Sequence, residues 1–190
     1  MSRTPVTLRI AVAEDAPFLG ELWGDLVRRG EFGDRMADLE QVICSTDGSD
    51  QRLLIAEYDG SPAGAVLLRR TTLSPINLEP VVLSFAPTVL EDFRRRGIGR
   101  ALMEAAVAFA EEVGVSTLAT AAISGSRDGN RFMARIGFTS QAVVRVASTH
   151  LVRAKLNAQM PISQRTSVGQ RSLGQVLAAR RSMRRSQALR

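Results

Sequence analysis

The sequence predicts an α/β fold, in which a mixed β-sheet carries helices on both of its faces. Apolar residues follow strand and helix periodicities in the order β-α-α-β-β-β-α-β-α-β, which is typical of such layered architectures. The chain has 190 residues, of which 45% are hydrophobic and 23% are charged. This length and composition predict one globular domain of ordinary size.

The first predicted elements are a strand and two helices. Residues 6–12 alternate between apolar and polar side chains enough to predict a short strand. The stretch AEDAPFLGELWGDLVRR, residues 13–29, predicts a helix because apolar residues recur every four positions from Phe18 and acidic residues lie near its start. Residues 36–44 predict a second helix with one apolar side.

A hairpin and a proline-containing strand follow. In QRLLIAEYDGSPAGAVLLRR, residues 51–70, two apolar runs flank the turn sequence DGSP, which predicts a β-hairpin. The polar stretch TTLSPINLEP, residues 71–80, predicts a connection, and VVLSF opens another strand at Val81. Because Pro87 cannot donate to a strand ladder, this strand is predicted to bulge or to lose a neighbour near its end.

The remaining predicted elements alternate between helix and strand. Residues 98–113 form the clearest helical pattern, with apolar side chains on one face. Residues 115–123 are largely apolar and predict a buried strand. Residues 130–135 predict a short helix that Gly137 ends, and residues 138–147 predict a last strand.

The segment FRRRGIGRALMEAA, residues 93–106, crowds four arginines and two glycines into seven positions at the start of the clearest helix. Each glycine costs about 1 kcal/mol against alanine inside a helix, and the arginines repel one another. A helix start leaves unpaired N–H groups and the positive end of the helix dipole, and Gly97 and Gly99 let an anionic group approach them. The pattern therefore predicts a bound phosphate or pyrophosphate.

Two common phosphate-binding motifs are excluded at this segment. It lacks the G-x-x-x-x-G-K-[ST] pattern of a P-loop. It also lacks the dinucleotide-binding fingerprint, because Leu102 stands where the third glycine of G-x-G-x-x-G would fall. The remaining alternative is an ordinary capped helix whose basic first turn is solvated.

The segment RRRGIG, residues 94–99, with the preceding strand VVLSFAPTV, resembles the R/Q-x-x-G-x-G/A acyl-CoA signature of the GNAT superfamily of N-acetyltransferases. ARIGF, residues 134–138, is similar to the end of the family's second motif, and LRIAVAEDAPFLGELW, residues 8–23, to its first strand and helix. The resemblance covers roughly residues 6–147. It implies a GNAT-like α/β fold with a mixed, mostly antiparallel central sheet, and acetyl-CoA or another acyl-CoA as co-substrate.

The resemblance also implies where the cofactor binds. The pyrophosphate would lie on backbone amides of the glycine turn (residues 94–100), and the pantetheine chain would pair with the preceding strand like an added strand. The implied cofactor-binding residues are Thr88, Val89, Arg94, Arg95, Arg96, Gly97, Ile98, Gly99 and Arg100. Pro87 departs from the pattern because it offers no N–H to one of those hydrogen bonds.

The catalytic residues are left unknown by the same comparison. Acetylation of an amine needs a base for the amine and benefits from an acid for the departing thiolate. The family's usual acid, a tyrosine four residues before the glycine of the G-F pair, aligns with Met133, which has no proton to give. A family glutamate and asparagine align with Leu83 and Ser126. Tyr58, the only tyrosine, lies on the predicted hairpin.

A few other side chains are candidates for chemistry. Glu79 and Asp92 could act as bases, although each is also explained as a solvated carboxylate. His150, the only histidine, is predicted at the surface, and Cys44, the only cysteine, in the core. Trp23 could line an acceptor groove, but packing is the favoured explanation. No cluster has the spacing of metal ligands, so no metal site is predicted.

Charge divides the chain into two parts. Residues 151–190 carry nine Lys or Arg side chains and no Asp or Glu, whereas residues 1–150 hold sixteen basic and nineteen acidic side chains. We therefore predict a core domain over residues 1–156 and a basic extension over residues 157–190. The extension's apolar residues that could form a helical stripe are Leu173, Val176, Leu177 and Met183. A solvated tail, a helix folded onto the domain, self-association, and contact with an acidic protein, nucleic acid or an anionic membrane are the alternatives for it.

The predicted function is transfer of an acetyl or other acyl group from acyl-CoA to an amine of a small molecule or protein. One alternative is a non-catalytic CoA-binding or adaptor protein that acts through its basic tail, and another is a nucleic-acid-associated module; a homo-oligomer is compatible with each. The N-terminus lacks a signal-peptide pattern and no apolar run approaches the length of a membrane span. These features predict a soluble, cytoplasmic protein.

Overall fold

The computed structural model describes residues 6–28, 30–46, 48–122 and 126–159. The chain divides into two compact units, Met1–Thr139 and Ser140–Arg190. The apolar stripe of the basic extension lies outside the described residues. The domain boundary at residue 156 therefore stays a prediction.

The first unit is built on a five-stranded sheet. Its strands are β1 (Val6–Ile10), β2 (Gln51–Tyr58), β3 (Ser61–Ser74), β4 (Asn77–Val89) and β5 (Leu118–Ala121). They lie side by side in chain order; the first four are antiparallel to their neighbours and β5 is parallel to β4. The predicted mixed, mostly antiparallel sheet is confirmed.

Helices cover both faces of this sheet, as predicted. On one face, α1 (Ala16–Leu22) and α2 (Phe32–Cys44) share a hydrophobic core with sheet residues such as Ile55. On the other face, α3 (Ile98–Glu112) buries Phe109 and its neighbours in a second core. We call these the α1 core and the α3 core. The α3 helix also makes the crossover that a parallel β4–β5 pair requires.

Several local predictions are confirmed in the middle of the chain. The β2–β3 hairpin closes through a two-residue turn at Asp59 (φ 54°) and Gly60 (φ 73°), the left-handed conformations that tight hairpin turns favour. The α3 helix begins at Ile98. Helix α4 (Arg127–Arg135) starts three residues earlier than predicted, and Gly137 follows its end with φ 96°.

The first predicted helix is much shorter in the structure. A 3₁₀ turn at Ala13–Asp15 leads into α1, which ends at Leu22 instead of continuing to residue 29. Leu26, counted on the apolar face of the predicted helix, is 43% exposed and lies outside the core. Glycines at positions 20 and 24 weaken the helical preference of this stretch, so packing of Leu26 would have been needed to extend the helix.

Cys44 is exposed, and its predicted place in the core was wrong. The buried side of α2 is formed by Leu39 and Ile43. Cys44 follows Ile43 by one residue, a rotation of about 100° around the helix axis, which turns its side chain toward solvent.

The polar stretch at residues 71–80 is not a connection but the continuation of β3 and β4 into a hairpin. Thr72 pairs with Pro80, and the two strands turn at residues 75–76. Threonine is β-branched and suits strands although it is polar, which the prediction underweighted. Pro80 is tolerated because, among the described residues, pairing of β4 with β5 begins only at Val82.

The predicted last strand, residues 138–147, is not formed. The segment joins no strand ladder among the described residues, and Val143, Val144 and Val146 are 67%, 88% and 91% exposed. Apolar β-branched residues favour a strand only where a neighbouring strand and a buried face are supplied. Helix α5 (Thr149–Gln159) follows this segment. Of the helices that the structure describes, none could span a bilayer.

An ion cluster ties the edge strand β1 to its surroundings. The Arg9 guanidinium donates to both carboxylate oxygens of Asp15, at 2.6 and 2.7 Å, and to Glu57 Oε1 at 2.6 Å. The backbone N–H of Val12 donates to Asp15 Oδ2 at 2.8 Å. The hydrogen bonds from Arg9 lower the pKa of the buried Asp15 carboxyl. The cluster thereby joins β1, β2 and the turn that leads into α1.

Candidate functional site

The N-terminus of α3 presents backbone donors that no side chain caps. Gly97 precedes the helix with φ 92°, a conformation that favours glycine, and no side-chain hydrogen bond caps this end. The first hydrogen bond of the helix runs from Ala101 N–H to the Gly97 carbonyl at 3.0 Å. The N–H groups of residues 98–100 therefore precede the ladder, at the positive end of the helix dipole. This geometry suits an anion.

Strand β4 bulges shortly before this helix. The β3–β4 register shifts between Phe85 and Thr88, so that Ala86 and Pro87 stand opposite a single β3 residue, Val66. The bulge predicted at Pro87 is confirmed. Because the ladder is interrupted there, the missing N–H of Pro87 breaks no regular pairing between β3 and β4.

Beyond the bulge, β4 has a free edge. The parallel pairing with β5 covers only Val82–Phe85. Thr88 and Val89 still pair with β3, but no strand in the described ranges pairs with them on the other side. An extended ligand can add to such an edge by main-chain hydrogen bonds, as a further strand would.

The free edge and the helix start meet at closely packed glycines. A Cβ placed on Gly64 of β3 would lie 2.6 Å from the Thr88 carbonyl oxygen and 3.3 Å from Ile98 Cγ2. A Cβ on Gly99 would lie 4.0 Å from Val89 Cγ2. The structure thus brings four of the predicted cofactor residues together, with Gly64 as a fifth member that sequence analysis missed. A glycine inside an apolar strand was the available signal, since it often marks a close approach of backbone.

Two of the four arginines in the glycine turn pair with acidic neighbours. Arg94 lies 3.0 Å from Glu91 and Arg100 lies 2.7 Å from Glu104. The hydrogen bond that Arg100 donates to Glu104 raises the pKa of Arg100. Both pairs are exposed, and such pairs contribute little to stability. They nevertheless neutralise part of the positive charge at the turn.

The other two arginines differ from each other. The guanidinium carbon of Arg96 lies 4.9 Å from the ring centroid of Tyr58 and 5.5 Å from that of Phe93, within cation–π range. These two rings also meet edge to face, with centroids 6.1 Å apart. Arg95 makes no hydrogen bond, ion pair or ring contact with the described residues. Arg96 is therefore held against the β2 hairpin, and Arg95 is available to an anion.

A groove of about 470 Å³ runs between α3 and α4. It starts beside the glycine turn, because Phe132 Cε1 lies 4.0 Å from the position of a Cβ on Gly99. Its lining includes Arg100, Met103, Glu104, Val107, Phe132 and Ile136. The groove therefore combines apolar side chains with three charged ones, Arg100, Glu104 and Glu111.

The positions aligned with family catalytic groups have structural contacts. Met133 is 8% exposed and packs in the α3 core. The Ser126 hydroxyl accepts a hydrogen bond from Gly129 N–H at 3.1 Å and caps α4. Leu83 is a half-buried residue of β4. The alignment of Met133 with the family's tyrosine stays a prediction.

The candidate bases lie in different places. Glu79 is near the start of β4, where its carboxylate accepts from Thr117 Oγ1 at 2.9 Å. It precedes Val89 by ten residues, about 30 Å along a strand. Asp92 is exposed in the 3₁₀ turn directly before the glycine turn, so it is the candidate nearer to that turn. In the described ranges, no three His, Cys, Asp or Glu side chains are grouped to hold a metal.

The two remaining candidates are His150 and Trp23. His150 is an exposed residue of α5. Trp23 is 6% exposed in the α1 core, which confirms the packing interpretation. Its indole Nε1–H also donates to the Ala86 carbonyl at 2.9 Å, a contact that the sequence did not predict.

Residues 19–138 match the family model described as Acetyltransferase (GNAT) family. The match spans more than half of the chain and includes the β4 bulge, the glycine turn and α4. No curated protein matches the chain by sequence.

Solved structures share the fold at low sequence identity. A ribosomal-protein-alanine N-acetyltransferase from Brucella melitensis biovar Abortus 2308 is 22% identical (TM-score 0.57), with 76% of this chain and 99% of that chain covered. An aminoglycoside N-acetyltransferase in complex with CoA is 19% identical (TM-score 0.60; 76% and 95% covered). Glucosamine-6-phosphate N-acetyltransferase from Arabidopsis thaliana is 16% identical (TM-score 0.56; 76% and 99% covered).

Proposed function

The chain belongs to the GNAT family of acetyltransferases, and we propose that it transfers an acetyl group from acetyl-CoA to an amine. One observation carries the proposal: the free edge of β4 ends against the uncapped start of α3. The edge offers main-chain hydrogen bonds to an extended chain, and the helix start offers amides to a polyphosphate. Coenzyme A combines these two chemical parts in one molecule.

In this proposal, each part of the cofactor has a place. The pyrophosphate binds the amides of residues 97–100, beside Arg95, which has no partner among the described residues. The pantetheine chain pairs with Thr88 and Val89. The adenosine end occupies the groove between α3 and α4, where Phe132 and Val107 supply apolar surface.

The reaction needs few groups from the protein. The amine nitrogen attacks the thioester carbonyl, the C–S bond breaks, and an amide and the thiol of CoA are formed. The amine loses a proton to water or to a base, and the thiolate takes one up. Holding the thioester beside the amine can supply a large part of the rate without a dedicated acid.

The acceptor class is supported by the names of the structural neighbours. Those proteins are named for a ribosomal-protein alanine, aminoglycosides and glucosamine 6-phosphate, each of which presents an amine. We propose an amine of a small molecule or protein for this chain as well. The cytoplasmic location of the protein stays a prediction.

Cofactor binding is tested with two matched glycine variants. Gly99→Glu and Gly33→Glu both place a carboxylate at the second position of a helix, α3 or α2, and a Cβ meets no close contact at either site. Acetyl-CoA at one hundred times its Kd should stabilise the wild type by about 2.7 kcal/mol. Gly99→Glu should lose the thermal shift because its carboxylate repels the phosphates, and Gly33→Glu should keep it. A wild type without a shift at millimolar acetyl-CoA would refute the cofactor assignment.

Transfer is tested by release of the CoA thiol. The full chain is incubated with acetyl-CoA and a panel containing an aminoglycoside, an amino-sugar phosphate and a peptide with N-terminal alanine. We expect thiol release that requires one class of amine, with the acetylated amine identified by mass spectrometry. An intact thermal shift without turnover on any amine would contradict the transferase and favour a CoA-binding protein.

A further inference from the structure

Ala86 has an unusual backbone conformation for its position. Three non-glycine residues in the described part of the chain have positive φ, and two of them, Asp59 and Arg95, lie in turns. Ala86 (φ 49°) lies inside β4 and is completely buried. A left-handed alanine costs about 1–2 kcal/mol, so the surrounding structure must hold it there.

At Ala86, the alternation of the β4 side chains between the two faces of the sheet changes. Before it, Val82 packs in the α3 core and Ser84 Oγ lies 3.7 Å from Met103 Sδ on the same side. After it, Val89 packs against the α3 core, while Ala86 itself packs in the α1 core. The extra residue of the bulge has therefore shifted the alternation by one position.

This shift puts Val89 in the proposed cofactor cleft, which consists of the free edge of β4 at Thr88 and Val89 and the glycine turn. With regular alternation, residue 89 would face α1 and residue 88 would face α3. With the bulge, Val89 Cγ2 lies 4.0 Å from the point that a Cβ on Gly99 would occupy. The free edge of β4 therefore ends against the glycine turn. The geometry of the proposed cleft thus depends on Ala86 keeping its conformation.

Two hydrogen bonds hold the Ala86 carbonyl. The Trp23 indole Nε1–H donates to it at 2.9 Å, and the Thr88 hydroxyl also donates at 2.9 Å. Thr88 belongs to the bulged segment and moves with it, whereas Trp23 belongs to the end of α1 on the opposite side of the sheet from α3. The indole is the fixed partner, and it is nearly buried at 6% exposure.

We propose that Trp23 is a positioning residue for the cofactor cleft, because its indole N–H holds the β4 bulge at Ala86. Among the described residues, the Trp23 indole N–H hydrogen-bonds only to the Ala86 carbonyl. It acts through the Ala86 carbonyl, which fixes the face on which Val89 lies. This role rests on the proposed acetyl-CoA site and adds a support on the α1 face.

The test compares Trp23→Phe with Ile43→Val. The first removes the indole donor and keeps an aromatic ring, while the second removes one methyl group from the same α1 core. Trp23→Phe should raise the Kd for acetyl-CoA about five- to tenfold, and Ile43→Val should leave it within about twofold, although both lower the melting temperature. In turnover, the loss for Trp23→Phe should fall on the KM for acetyl-CoA rather than on kcat.

A rescue variant separates positioning from packing. Glycine adopts a left-handed conformation without strain, so the bulge no longer needs the indole donor. The double variant Trp23→Phe/Ala86→Gly should therefore recover most of the lost affinity. A defect caused by the smaller ring alone would persist in the double variant, and that result would overturn the proposal.

A readout without ligand keeps the proposal independent of the cofactor assignment. Amide hydrogen exchange at Thr88 and Val89 should be faster in Trp23→Phe than in Ile43→Val. If Trp23→Phe does not fold, Ala86→Gly in the wild-type chain is measured instead: relief of the left-handed strain should raise the melting temperature, and a lower one would refute the need for the indole donor. Failure of the wild type to bind acetyl-CoA would refute the proposed function. Unchanged exchange at Thr88 and Val89 would refute the positioning role.

Discussion

The helices α3 and α4 begin in opposite ways. The residue that precedes α3 is Gly97, which has no side chain, and no side chain caps the first amides of this helix. The residue that precedes α4 is Ser126, whose hydroxyl accepts from Gly129 N–H at 3.1 Å. Four arginines surround the first helix start, whereas Asp128 lies in the first turn of the second.

In the proposed function, this difference separates a helix end that binds an anion from a helix end that is capped by its own sequence. A helix start needs partners for its N–H groups, and α4 finds one within its own sequence. The α3 helix leaves its donors open and adds positive charge, which destabilises the protein alone and favours an anionic ligand. Predictions that exchange or remove these features test whether the contrast reflects function.

The largest effect is expected from Gly97→Ala. Its φ of 92° strains any other residue, so we expect a loss of about 1–2 kcal/mol in stability, measured by urea unfolding, and a loss of acetyl-CoA binding as the amides reorient. Gly114→Ala is the matched control, since Gly114 follows the other end of α3 with φ 68° and open space around it. It should cost similar stability and leave binding intact. Equal binding losses in the two variants would show that the open helix start has no special role.

A smaller effect is expected from single arginine removals. Arg95→Ala and Arg100→Ala each remove one positive charge. Arg95 has no partner among the described residues, whereas Arg100 already pairs with Glu104. Arg95→Ala should raise the Kd for acetyl-CoA about three- to tenfold, and Arg100→Ala by less, in calorimetric titrations at low salt. The difference in Kd between the two variants should narrow as the salt concentration rises. A larger loss in Arg100→Ala would place the phosphates on the helix side of the turn instead.

The smallest effect on binding is expected from Ser126→Ala. Removal of a serine cap typically costs about 1 kcal/mol of stability. Because the hydroxyl is occupied by Gly129 N–H, the Kd for acetyl-CoA should stay within about twofold of wild type. A strong binding defect would instead make the start of α4 part of the cofactor site, and the contrast between the two helices would no longer hold.

The features that the sequence predicted correctly have local causes. The start of α3 at Ile98, the αL glycine at position 137 and the bulge near Pro87 each follow from the conformational limits of glycine and proline. The anion predicted at the glycine turn stays a prediction, which rests on the crowding of arginines beside two glycines. The resemblance to the GNAT family is what named an acyl-CoA as that anion.

The features that the sequence did not predict depend on distant neighbours. The contact of Trp23 with Ala86 joins residues 63 positions apart, and no local pattern encodes it. Gly64 matters because β3 passes close to Thr88 and Ile98, which only the folded sheet reveals. The missing strand at residues 138–147 fails for the same reason, because its valines fit a strand but the ladder they need is not specified locally.

The Arg9–Asp15–Glu57 cluster has a consequence for proton linkage. Because hydrogen bonds from Arg9 lower the pKa of Asp15 in the folded state, the unfolded chain binds this proton more readily. The contribution of the Arg9–Asp15 pair to stability is therefore fully present above the unfolded pKa of about 3.9 and is lost as pH falls through the folded pKa of Asp15. Acid should therefore loosen the link between Arg9 of β1 and the turn that leads into α1, on the edge of the sheet away from β4.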